Sequence, residues 1–123
     1  MRVYCGKLYV TWEDVEKALD EACDYFERKC LKFDGVYAIP RGGLPIGVMF
    51  SHRLGIPLLA APHSQTLIVD DITDSGKTLK AFTGKYFTYT LFYHRRSEVV
   101  PDKWSYEKTD NWVKFPWEKG GVE

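Results

Sequence analysis

The sequence predicts a single α/β domain with a mainly parallel, twisted sheet flanked by helices and a small C-terminal hood. Three observations predict it. The chain has 123 residues, which is room for one hydrophobic core and not for two. Apolar runs of strand length alternate with segments of helical periodicity along most of the chain, the pattern of successive strand–helix–strand units that build a parallel sheet. Two of those runs end in loops dense in glycine and charge, and in such sheets ligands bind beyond the carboxyl ends of the strands. The composition, 45% hydrophobic, 28% charged and 15% aromatic, is that of a globular chain and not of a disordered one.

Thr11 is a good N-cap, Glu13 and Asp14 place negative charge in the first turn, and Val15, Leu19, Ala22, Cys23, Phe26 and Cys30 recur at helical spacing, so residues 12–30 read as an amphipathic helix. Residues 35–39 form a short apolar run ended by Pro40, the signature of a buried strand. A glycine-rich turn, residues 40–45, follows at once. Residues 44–54 are apolar, with Arg53 in the last turn and Gly55 just beyond, which is how a helix ends. Residues 56–61 and 66–69 read as the second and third strands. The segment from Ser75 to about Gly84 reads as a short helix, and residues 86–93, rich in β-branched and aromatic side chains, as a fourth strand. Residues 94–123 carry three of the four tryptophans and no clear period. They read as a hood of strand and loop over one end of a sheet core spanning about 9–93.

Seventeen Lys and Arg balance seventeen Asp and Glu, so no global field draws the protein to nucleic acid or to an anionic membrane. Any phosphate site must be local. The longest apolar stretches, residues 58–61 and 67–69, fall far short of the roughly 20 residues a membrane-spanning helix needs. Residues 1–10 hold no apolar stretch of signal-peptide length, and the expected compartment is the cytoplasm. Cys23 and Cys30 are separated by about 10.5 Å along a helix axis, too far for a disulfide. All three cysteines therefore read as small buried or half-buried hydrophobes in a reducing compartment.

The strongest chemical signal is residues 67–79. An apolar strand cannot keep two adjacent carboxylates in its interior without a large desolvation cost, so Asp70 and Asp71 must lie where the strand opens to solvent or ligand. Hydroxyls and a hydrated cation are their natural partners. Ser75, Gly76, Lys77 and Thr78 then supply two hydroxyls, a flexible backbone and successive N–H groups at a helix start, which suits a phosphate. Together the loop offers diol or metal contacts beside a phosphomonoester cradle, the needs of a ribose 5-phosphate. A nucleotide-binding P-loop is not the match, because position 71, where that motif needs glycine, is Asp. The second loop, residues 40–45, pairs the fixed charge of Arg41 with the close backbone approach that Gly42 and Gly43 allow. By itself it reads equally as a tight strand-to-helix turn with Pro45 in the first helical turn.

Residues 67–79, an apolar strand, two acids, then Asp-Ser-Gly-Lys-Thr, resemble the phosphoribosyl pyrophosphate (PRPP) signature of the type I phosphoribosyltransferases. The resemblance implies that family's fold. It also implies that Asp70 and Asp71 hold the ribose hydroxyls and organise Mg2+, through water, and that Ser75, Gly76, Lys77 and Thr78 hold the 5-phosphate. Asp74 would lie near the base as proton acceptor or electrostatic stabiliser, the catalytic position. Beside this loop, Arg41, Gly42 and Gly43 resemble the family's pyrophosphate loop, which often contains a strained or cis non-proline peptide.

Residues 110–118, with Thr11-Trp12, Arg41 to Gly43 and the PRPP loop, are similar to the bacterial and archaeal xanthine-guanine phosphoribosyltransferases, and the similarity runs through nearly the whole chain. It implies that Trp112 stacks on a purine and that Val113 offers backbone contacts to the base. An indole face suits a purine face, although two tryptophans in this region serve equally to bury apolar area. Tyr93 falls where such enzymes carry the lysine that meets the purine 6-oxo group. The long mobile loop those enzymes close over PRPP is reduced here to residues 62–65. Two functions follow: Mg2+-dependent transfer of phosphoribosyl from PRPP to guanine, xanthine or hypoxanthine, or a catalytically weak or inactive regulatory protein of the same fold that binds PRPP or nucleotide. Members of the family usually form dimers or tetramers, so a homodimer or homotetramer is the expected assembly.

Overall fold

The computed structural model describes residues 1–121. Its centre is a four-stranded, wholly parallel sheet of β3 (Gly35–Ala38), β4 (Thr66–Thr73), β5 (Phe87–Tyr93) and β6 (Lys103–Glu107), in that order. Helices α1 (Trp12–Arg28) and α2 (Leu44–Leu54) bury their apolar sides in one cluster with the sheet. A smaller cluster of Ile39, Ile68 and Leu79, with Tyr37, Phe82 and Tyr86 packed on it, contains no residue of either helix. Leu67 and Val69 belong to the first cluster and Ile68 to the second, the alternation of a strand buried on both faces. No helix among the described residues is long and apolar enough to cross a membrane.

The start of α1 is built as the sequence predicts. Thr11 Oγ1 accepts from the Asp14 N–H (3.0 Å), and Asp14 Oδ2 accepts from the Thr11 N–H (2.9 Å), a reciprocal capping box. The helix ends two residues early. Cys30 adopts a left-handed conformation (φ 55°), its N–H donates to Glu27 O, and the Leu31 N–H reaches back to Phe26 O at 2.8 Å. That is the chain reversal usually made by glycine. Cys5 (φ 49°) and Gly6 (φ 74°) make a second left-handed turn, joining β1 (Arg2–Tyr4) to β2 (Lys7–Tyr9) in an antiparallel hairpin. The sequence conceals it, because cysteine stands where asparagine is usual. Both residues are consequently exposed; only Cys23 is half-buried, and burial pushes its thiol up to about 11. The expectation of three buried or half-buried cysteines is thus corrected, since two of them serve turns.

Two expected elements are not formed. Residues 56–61 make no strand beyond a single parallel bridge, Leu58 to Val36, because Pro57 and Pro62 lack the donors a ladder needs. The expected helix after Ser75 shrinks to one 3₁₀ turn, Leu79–Ala81. Left-handed Gly76 and Gly84 bracket a stretch too short to sustain a helix by itself. The hood also divides. Within residues 94–123, β6 completes the main sheet, while β7 (Trp112–Lys114) pairs parallel with β2 in a separate three-stranded sheet.

Phe26 is the hub of the core, 1% exposed, with ring centroids 5.1 Å from Phe33, 5.6 Å from Phe87 and 6.1 Å from Phe50. Phe26→Ala is expected to destabilise the protein by about 3–5 kcal/mol, read as a lower denaturant midpoint with an unchanged slope.

Candidate active site

From β3 the chain passes through α2 to the bridge at Leu58 on one side of β3, and then enters β4 on the other side. The carboxyl ends of β3 and β4 therefore flank the point where the direction of winding reverses, the crevice in which such sheets bind ligands. The loop after β3 is residues 40–43 and the loop after β4 is residues 74–78. Topology alone brings the two chemically loaded loops together.

The loop after β3 lies close against the carboxyl-terminal half of β4. Seen from Gly42, the space a Cβ would fill is taken by the Asp71 carboxylate. At Gly43 it would lie 2.6 Å from Val69 O and 2.9 Å from Ile39 O. Only glycine lets this loop lie against the end of β4. The peptide joining Pro40 to Arg41 is cis, as the resemblance implies for this loop, and Arg41 is exposed. Asp70, Asp74, Ser75, Gly76, Lys77 and Thr78 line one cleft of about 170 Å³, together with Ile72, Thr73 and Leu79.

At the carboxylate pair, the Asp71 N–H donates to Asp70 Oδ1 (2.8 Å) and the Ile72 N–H to Asp71 Oδ1 (2.7 Å). Neither aspartate has a salt-bridge partner among the described residues. Desolvation, and then the charge of Asp71 beside it, pushes Asp70 up to about 8; desolvation also raises Asp71. The ladder from β4 through β5 to β6 skips Asp71, Leu91 and Ser105, so three strands share an irregularity at this pair. Thr90, paired with Asp70 across β4 and β5, has a buried hydroxyl with no hydrogen-bond partner. A hard cation bound beside the two carboxylates would favour their charged forms and offset this desolvation. The described residues hold no cluster of three His, Cys, Asp or Glu that could ligate a metal. Two adjacent carboxylates beside a cleft fit the manner in which Mg2+ is held, through one or two carboxylates, water and ligand phosphates.

The loop expected to cradle phosphate differs from expectation in one respect. With only a 3₁₀ turn behind it, the loop has no helix dipole of consequence. What remains is amide donors: the N–H groups of Gly76 and Thr78 donate to no acceptor among the described residues. Gly76 is left-handed (φ 87°), and a Cβ there would stand 2.5 Å from Ser97 Oγ and 3.0 Å from the Glu98 and Val99 nitrogens. Gly76→Ala is expected to weaken binding of inorganic phosphate or a phosphorylated ligand by roughly tenfold, while costing about 1–3 kcal/mol of stability. Titration calorimetry and thermal melting read the two effects separately.

Asp74 is the one carboxylate of the loop with a counter-ion. Arg96 Nε and Nη2 donate to its two oxygens at 3.2 and 2.9 Å, and this guanidinium holds the carboxyl below its usual range.

No protein-family model matches the chain. The solved purine phosphoribosyltransferase of Pyrococcus horikoshii Ot3 superposes with a TM-score of 0.79 at 29% identity, covering 96% of this chain and 97% of that one. The xanthine-guanine-hypoxanthine phosphoribosyltransferase of Helicobacter pylori superposes with a TM-score of 0.81 at 18% identity, covering 93% and 95%. In sequence, the xanthine-guanine phosphoribosyltransferase of Chromohalobacter salexigens is 22% identical across 95% of this chain and 87% of its own length. The chain has the fold of the type I phosphoribosyltransferases and is similar to their purine-specific members along nearly its whole length. The stretch matched to the Chromohalobacter protein is 143 residues against a chain of 123, so that relative carries residues without a counterpart in this chain.

On the hood, the chain presents Trp112 at 67% exposure, whereas Trp117 packs against Trp12 and stacks on Phe115 at 4.7 Å. The ladder to β2 uses the Trp112 N–H (to Gly6 O) and Lys114 O (from the Val10 N–H). In a parallel pair, that pattern turns the amide groups of Val113 to the free edge of β7, while its side chain is buried in the core. Tyr93 packs on Trp104, ring centroids 5.2 Å apart. None of these three hood-side residues lines the cleft of residues 70–79. Arg96 was not foreseen from the sequence. Its one signal was the cationic run 94–96 at the carboxyl end of β5.

Proposed function

We propose that the protein transfers the phosphoribosyl group of PRPP to a 6-oxopurine (guanine, xanthine or hypoxanthine), releasing pyrophosphate. The observation that carries this is the packing of Gly42 and Gly43 against Val69, Asp70 and Asp71 at the winding reversal, with Asp70 lining one cleft with residues 74–78. A purine phosphoribosyltransferase is 29% identical over almost the full length. In this reading the free amides of Gly76 and Thr78, the hydroxyls of Ser75 and Thr78, and the Lys77 ammonium hold the 5-phosphate. Asp70 and Asp71 accept from the ribose hydroxyls and hold Mg2+ through water. Arg41, with the backbone at Gly42 and Gly43, binds pyrophosphate. Mg2+, when bound, neutralises the departing pyrophosphate.

Chemically, a base nitrogen displaces pyrophosphate at C1 of the ribose, and positive charge develops on the ring in the transition state. A carboxylate fixed beside that ring stabilises the charge more in the transition state than in the ground state. Asp74 stands at the mouth of the phosphate loop for this role. Trp112 offers its exposed ring for stacking and Val113 its free-edge amides for the base. Tyr93, tied to Trp104, contributes through its position at the end of β5.

Calorimetric titration with PRPP and Mg2+, followed by each 6-oxopurine with products read by mass, tests the proposal. Nucleoside monophosphate and pyrophosphate are the expected products. PRPP binding without product would favour the regulatory reading, which the short connection at residues 62–65 supports by leaving little chain to close over the site.

A further inference from the structure

Residues 94–99, between β5 and β6, lie against the phosphate loop and are fastened to it repeatedly. The His94 N–H donates to Thr73 O (3.0 Å), and the Glu98 N–H donates to Ser75 O (2.8 Å). Ser97 Oγ lies 3.1 Å from Thr73 Oγ1, and Lys80 pairs with Glu98 at 3.1 Å. Gly76 fits beneath Ser97, Glu98 and Val99 with no space for a side chain. No helix follows the phosphate loop to hold it, and this segment takes that place.

At its middle sits Arg96. An isolated surface ion pair contributes little, and Arg96 and Asp74 are 64% and 40% exposed. This pair differs in geometry. The guanidinium grips both carboxylate oxygens, the bidentate form in which orientation as well as charge is specified. Arg96 is itself placed by its backbone, whose N–H donates to His94 Nδ1 at 3.0 Å, between the two main-chain anchors at residues 94 and 98. The other titratable groups beside Asp74 are His94 and Lys108, and among the described residues Arg96 pairs with no second carboxylate.

We propose that Arg96 is the positioning residue for Asp74: its fork fixes the carboxylate in one orientation at the mouth of the phosphate loop, so that Asp74 acts as a fixed negative charge and not as a proton acceptor. The catalytic part of this inference rests on the phosphoribosyl-transfer function; the positional part does not. Asp74 remains below the ordinary carboxylate range because Arg96 hydrogen-bonds to its charged form, which suits a standing charge and opposes proton uptake.

The test uses Arg96→Gln, which keeps the side-chain stem, and Arg96→Lys, which keeps the charge without the fork. In the unliganded protein, the Asp74 side-chain carbon is titrated by NMR. Arg96→Gln is expected to move its midpoint upward, and Arg96→Lys to restore it in part. With PRPP, Mg2+ and a purine, Arg96→Gln is expected to lower kcat about tenfold while KM for PRPP stays within about twofold, with partial recovery in Arg96→Lys. An unmoved Asp74 titration overturns the proposal, and so does faster turnover in Arg96→Gln, which would mean that the fork blocks Asp74. If the wild-type protein forms no nucleotide, the phosphoribosyl-transfer reading falls, and the titration alone decides the pair.

Discussion

Asp70→Asn combined with Asp71→Asn is expected to weaken PRPP binding in the presence of Mg2+ by at least about 100-fold, because hydrogen bonds to charged groups contribute roughly 1.5–3 kcal/mol each and two such acceptors are lost. The same double variant is expected to be more stable than the wild type at about pH 8. The sign follows from burial. Asp70 is pushed up to about 8 from an ordinary 3.8, so between those values the folded protein holds a proton that the unfolded chain has released. Stability of the unliganded wild type therefore falls as pH rises from about 4 to about 8, where the charged pair is most costly. With two asparagines that slope flattens. Thermal melting across this range and calorimetry with PRPP check the two halves independently. Unchanged PRPP affinity would place the site elsewhere; a wild-type stability that rises with pH would contradict the desolvation of the pair.

Gly43→Ala is expected to be the most disruptive single change in the loop after β3. The added carbon would stand 2.6 Å from Val69 O, 2.9 Å from Ile39 O and 3.0 Å from the Asp70 Cα, backbone atoms of β4 and of the residue just after β3 that cannot turn aside. The loop must lift from β4, and with it Gly42 leaves Asp71. Overpacking of this kind costs roughly 1–3 kcal/mol, and loss of contact between the two loops is expected to weaken PRPP binding at least tenfold. Gly55→Ala is the control. That glycine is left-handed at the end of α2, and a methyl group added there would meet nothing within 4 Å, so alanine costs only about 1–2 kcal/mol of backbone conformation and leaves PRPP affinity unchanged. Equal effects at the two positions would mean that crowding at Gly43 is not what matters.

Much of this was legible in the chain. Helix α2 begins and ends at the residues its apolar run and Gly55 indicate, because local signals at both ends agree. The acid pair and the Asp-Ser-Gly-Lys-Thr stretch stand out in the sequence, and Asp70 and residues 74–78 do line one cleft. The N-terminal hairpin was not legible, because its turn is Cys5–Gly6 where the usual signal is asparagine followed by glycine. Residues 56–61 have the composition of a strand but not the donors. The expected helix after Ser75 failed because Gly76 is held left-handed beneath residues distant in sequence.

What the sequence by itself determined is α2, the start of α1, the strands near 35–38, 66–69 and 87–93, and the residue types at their ends, for these depend on neighbours within a few residues. What only the tertiary structure decided is which ends meet. The reversal of winding beside β3 sets Gly42 against Asp71, and the return of the chain after β5 sets Arg96 on Asp74. Those partners are separated along the chain by tens of residues, and contacts of that range are chosen by how the whole sheet packs and not by any local signal.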